Sequence, residues 1–158
     1  MPLDHRYVCS THFVREHLRA GGLSEAATFR YFWAIMVFDW LQLTAIATTP
    51  TPIMSPWSIT GSWITFAITI AGLIYLYVRN GGSKGKQFLH RYFPLSMTVG
   101  WKFVAAMVAV MWLVEHALTG STTEIRGWST TGVLAVLNVA MFWRIGTHLA
   151  VLARTADG

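Results

Sequence analysis

The sequence predicts an all-α integral membrane protein, a bundle of four antiparallel helices with both termini in the cytoplasm. Three observations carry this. Only 12% of the 158 residues are charged while 54% are hydrophobic, about half the roughly 25% charge of an ordinary soluble domain. Four apolar segments each reach the length of about 20 residues that a bilayer crossing requires. Of the 12 Lys and Arg, set against 7 Asp and Glu for a net charge of +5, most gather at the ends of the apolar segments. The low charge argues against disorder. The single cysteine, Cys9, excludes a disulfide framework and a cysteine-rich metal site. Basic residues scattered over interfacial positions form no continuous patch for nucleic acid.

Residues 1–23 read as a cytoplasmic N-terminal segment. The stretch MPLDHRYVCSTHFVREHLRAGG is polar and basic and lacks the apolar core of a signal peptide. Within it, a short amphipathic helix is expected at the membrane interface. Ser10 or Thr11 would cap it, Phe13, Val14 and Leu18 would share a face, and Gly21 and Gly22 would end it. Arg15, His17 and Arg19 suit an anionic leaflet. A transmembrane unit follows over residues 24–154, with spans at roughly 26–47, 57–78, 93–118 and 128–153. Residues 155–158 form a cytoplasmic tail.

Orientation follows from the placement of cations. Arg6, Arg15, Arg19 and Arg30 precede or open the first span, and Arg79, Lys84, Lys86 and Arg91 crowd the second connection. Arg154 lies in the tail, and the other two connections hold only Arg126. By the positive-inside rule, both termini and the middle connection face the cytoplasm, most simply at a plasma (inner) membrane. Trp57, Trp112 and Trp128 fall at the opposite boundary, where amphipathic rings anchor well. The first and third spans begin alike, Arg30-Tyr31-Phe32 and Arg91-Tyr92-Phe93, and run in the same direction. No internal repeat is strong enough to assert.

Placed on a 3.6-residue period, each span shows a small or polar stripe. On the second it is Ser58, Ser62, Thr65, Thr69 and Gly72; on the third Thr98, Lys102, Ala105, Ala106, Ala109 and His116. On the fourth it is Thr131, Asn138, Met141, Arg144 and His148, and on the first Thr28, Phe32, Ile35, Asp39 and Gln42. Small faces let helices approach closely in lipid. The same stripes would line a wet path if the helices stood apart.

Charge within the spans is harder to assign to packing alone. An unpaired charge at mid-membrane costs at least about 2.5–3.5 kcal/mol. Asp39, Lys102 and Arg144 are therefore expected to face inward as an intramembrane polar network, with His148, Asn138 and Gln42 beside them. One reading makes this a structural lock; the other sees two cations and one anion leaving surplus positive charge for an anion or lipid phosphate. Arg79, Lys84, Lys86 and Arg91 are expected to contact lipid headgroups.

The loop Asn80-Gly-Gly-Ser-Lys-Gly-Lys-Gln87 lacks the glycine and the Ser or Thr of a phosphate-binding loop. No zinc motif and no Ser-His-Asp set can be assembled at one depth, so neither a metal site nor a catalytic residue is assigned. A haem b would need histidines at a common level, for which His90 and His148 are the only candidates. The expected function is thus non-enzymatic: an oligomeric scaffold, pore or subunit of a larger membrane complex. An anion or small-solute channel or transporter module and a haem b redox subunit are the alternatives. The expected partners are membrane lipids and either a second copy or another membrane protein.

Overall fold

The computed structural model describes residues 11–19, 24–48, 55–84 and 87–155. They form helices α1 (Thr11–Arg19), α2 (Glu25–Thr48), α3 (Pro56–Arg79), α4 (Phe88–Ala117) and α5 (Thr123–Thr155), with one 3-10 turn at Gly82–Lys84. No strand occurs among the described residues. α3, α4 and α5 are each long and apolar enough to cross a membrane. α2 coincides with the expected first span; its side chains beyond Leu41, Gln42 included, lie outside the described residues.

Local chemistry sets the helix ends. Ser24 precedes α2, and its hydroxyl accepts from the Ala27 N–H at 3.3 Å, satisfying one of the donors that every helix start leaves open. Ser55 is extended and Pro56 occupies the first turn of α3, where the missing N–H costs nothing. Gly81 and Gly82 stop that helix with φ of 102° and 57°, a conformation that side chains resist. Thr122 caps α5 by accepting from the Ile125 N–H at 3.4 Å. Glu124 in the first turn suits the positive end of the helix dipole. These signals start α5 at Thr123, several residues before the expected boundary.

α4 also begins early, at Phe88, and carries Pro94 inside it. The proline removes the hydrogen bond to the carbonyl one turn back. Thr98 supports this stretch by donating its hydroxyl to the Pro94 carbonyl, and its side chain is completely buried.

α3 and α5 fit through glycine notches. A Cβ at Gly72 would come within 2.5 Å of the Phe142 ring, and one at Gly127 within 2.5 Å of Trp57. Gly146 receives Tyr75 in the same way, and Gly61 faces Thr131. The paired positions rise in step along both helices, so α3 and α5 run in the same direction. The contacts of α2 with α4 also rise in step: Thr28 with His90, Phe32 with Phe93, Phe38 with Trp101. The matching basic-aromatic starts of these two helices therefore lie side by side.

The neighbour relations place α5 between α3 and α4, and α2 on the far side of α4. The contacts among the described residues thus run as an open row, α3–α5–α4–α2, where a four-helix bundle was expected. The reason lies in the surfaces. α3 and α5 hold glycines that admit a neighbour's ring, whereas α2 has no glycine and meets α4 through bulky aromatics. α1 lies against both α4 and α5. Val14 and Leu18 are buried with Leu95, Val99, Ile145, Leu149 and Leu152 in the one hydrophobic cluster described. The expected amphipathic helix exists, but its apolar face is spent on protein.

Candidate functional site

The polar stripes distribute differently from a closed lining. On α3, the Ser62 hydroxyl donates to the Ser58 carbonyl at 3.0 Å and Thr69 to the Thr65 carbonyl at 2.8 Å. The face packed on α5 holds Trp57, Gly61, Gly72 and Tyr75 instead. Only Gly72 belongs to both sets. The Asn138 amide donates to the Leu134 carbonyl of its own helix at 2.9 Å.

The expected salt-bridge network does not form. Asp39, Lys102 and Arg144 are all exposed, and among the described residues the ion pairs are His12–Glu16 and Arg126–Glu115. An open row has no enclosed interior, so inward-facing charge on α2 and α5 has no common space in which to meet. Lys102 turns to α1, donating from Nζ to the Thr11 hydroxyl at 3.0 Å.

What assembles instead is a set of cations. His148, half-buried on α5, lies within electrostatic reach of Arg144 on the same helix, Arg15 on α1 and Lys102 on α4. Three helices thus bring four basic side chains into one region, with Thr11, which Lys102 bonds, one turn before Arg15 on α1. The seating of Val14 holds Arg15 there, and the guanidinium Nε of Arg15 is buried without a hydrogen-bond partner. Arg15 was legible in the sequence as a lipid-facing residue, but its place beside Lys102 and Arg144 was not. That placement depends on α1 folding back into the α4–α5 groove.

The headgroup set also divides. Arg79 is exposed, its guanidinium 5.9 Å from the Tyr75 ring centre. The Lys84 side chain and Lys86 lie outside the described residues. Arg91 is a correction: it is only 7% exposed and donates from a terminal guanidinium nitrogen to Asn80 Oδ1 at 3.3 Å. It ties the start of α4 to the end of α3. Asn80 itself is 1% exposed. The turn that joins them brings together residues eleven positions apart, a pairing that a span-by-span reading cannot see.

Two further described histidines are hydrogen-bonded within the fold. His90 Nδ1 hydrogen-bonds with the Thr28 hydroxyl at 3.1 Å across α2 and α4. His116 Nδ1 donates to the Trp112 carbonyl at 2.8 Å and its ring lies against Trp112. His90 sits in the first turn of α4, about 18 Å along that helix from Lys102. Among the described residues no cluster of metal-ligating side chains occurs.

At the other end of the α4–α5 pair, Arg126 and Glu115 form a 2.6 Å ion pair. It borders an open cleft of about 360 Å³ that also touches Trp57 and Thr131. Comparison with known protein families, curated proteins and solved structures finds no match.

Proposed function

We propose that this chain is a four-span membrane protein, with successive spans antiparallel and both termini cytoplasmic, that works as a subunit of a membrane assembly. Its partner is a second copy of itself. The observation that carries this is Asp39, an exposed carboxylate on a membrane-length helix with no cation paired to it among the described residues. In acyl chains such a charge costs at least about 2.5–3.5 kcal/mol. A neighbouring copy that sets a basic side chain against it removes that cost. The open row supports the same reading, because α2 stands at its edge with one flank packed on α4 and the other available.

Single-molecule photobleaching in lipid bilayers tests it. The native chain should bleach in more than one step, and Asp39→Asn should shift the population toward single steps. A native chain that bleaches in one step overturns self-association. Topology is read separately through Cys9, the chain's single cysteine. A membrane-impermeant maleimide should label it in intact cells only after permeabilisation.

An anion or small-solute path is the second reading. It is favoured by the surplus of cations around His148, since positive charge lining a path selects anions. Lys102→Met should then lower chloride flux in reconstituted vesicles; unchanged flux counts against it.

A further inference from the structure

We infer that Arg15, Lys102, Arg144 and His148 form a binding site for a phosphate-bearing anion at the inner polar–apolar boundary of the membrane, with α1 as its clamp. The site belongs to a single copy of the chain and does not rest on self-association.

The composition of the cluster is the first argument. Its basic groups come from three helices: Lys102 on α4 bonds Thr11, one turn before Arg15 on α1, and Arg144 lies one turn before His148 on α5, all within electrostatic reach of His148. The acidic side chains nearest in sequence are engaged elsewhere or stand apart. Glu16 faces His12 at 3.6 Å, Glu115 holds Arg126, and Asp39 pairs with none of the cluster. Like charges gathered in one region repel, so the arrangement is favourable when an anion sits between them. Arginine offers planar paired donors that match phosphate oxygens. The buried, unpartnered Nε of Arg15 is a donor already desolvated.

Depth is the second argument. The Glu115–Arg126 pair marks the opposite end of the same two helices. At roughly 1.5 Å per residue, Arg144 stands about 27 Å from Arg126 along α5 and Lys102 about 20 Å from Glu115 along α4. Side chains lean toward the N-terminus of their own helix. Lys102 therefore leans away from Glu115, as its bond to Thr11 shows, while Arg144 leans back toward Arg126. The two charged heads converge near one level. With a hydrocarbon core about 30 Å thick, that level lies a few ångströms inside the opposite boundary, within reach of a phosphate drawn toward the cations.

Rigidity is the third. Arg15 follows Val14, which is completely buried, and Lys102 ties α4 to the first residue of α1. Arg15 and Lys102 are thus positioned before any ligand arrives, which lowers the ordering cost of binding.

Native mass spectrometry and thermal unfolding of the full chain in nanodiscs test the site. The first arm adds phosphatidylglycerol to phosphatidylcholine discs. The second adds inorganic phosphate to discs of phosphatidylcholine alone. Retained phosphatidylglycerol with a raised melting temperature assigns a lipid headgroup, and stabilisation by inorganic phosphate assigns a soluble anion. Either supports the site. Arg144→Gln and Arg15→Gln should each weaken the effect about tenfold, while Arg79→Gln leaves it unchanged. Arg144→Lys keeps the charge and should retain most of the binding, which separates loss of the site from loss of the fold. No effect of either anion on the native chain, or an equal effect on Arg144→Gln and the native chain, overturns the proposal.

Discussion

The two ends of the α4–α5 pair treat charge in opposite ways. At one end a cation and an anion meet directly, Arg126 with Glu115, in a pair whose side chains are 31% and 62% exposed. At the other, Arg15, Lys102, Arg144 and His148 gather with no acid among them. The first end pairs its charges within the chain, although Arg126 Nε is buried without a hydrogen-bond partner, and solvent screens the pair where its side chains are exposed. The second is electrostatically incomplete and has been made so by a helix, α1, that the chain brings back from its N-terminus.

Substitutions can break or sharpen that contrast. The largest effect is expected from Val14→Asp. It puts an unpaired carboxylate into a fully buried apolar site and should release α1 at a cost of about 3–5 kcal/mol. Hydrogen exchange over residues 11–19 should rise sharply while α3 and α5 stay protected; unchanged protection would show that α1 is not held by this seat. A smaller effect is expected from Asn80→Ala, which takes an acceptor from the buried Arg91 guanidinium. Unfolding in detergent should shift by about 1–3 kcal/mol. The smallest is expected from Arg126→Gln at the self-paired end, below about 1 kcal/mol and shrinking further with added salt. Should Arg126→Gln outweigh Asn80→Ala, the surface pair is more than a boundary marker and the contrast between the ends fails.

Apolar run length located every long helix, because a bilayer imposes a minimum length that local sequence must meet. The same arithmetic misplaced the starts of α4 and α5, where Pro94 inside a helix and the Thr122 cap needed closer reading. The α1 helix was legible from Val14 and Leu18 on one face. That this face meets Leu149 and Leu152 in place of lipid was not, since an apolar stripe fits either solvent. The network of Asp39, Lys102 and Arg144 failed for a related reason. Period and depth say which residues share a face and a level, but not which helices are neighbours. With α5 between α3 and α4, and α2 outside, Asp39 is carried to the rim. Arg91 shows the same limit at close range, as its position beside Tyr92 and Phe93 looks interfacial until the glycine turn presents Asn80 to it.

The glycine notches have a mechanical consequence. Trp57, Tyr75 and Phe142 each sit where a neighbour has no side chain. A slide of α3 along α5 by one residue, about 1.5 Å, would drive all three rings into methyl groups or larger. The two helices can only travel as one piece, a keel against which nothing shears. Any stroke this protein makes is left to α2, whose grip on α4 consists of ring edges and the Thr28–His90 bond.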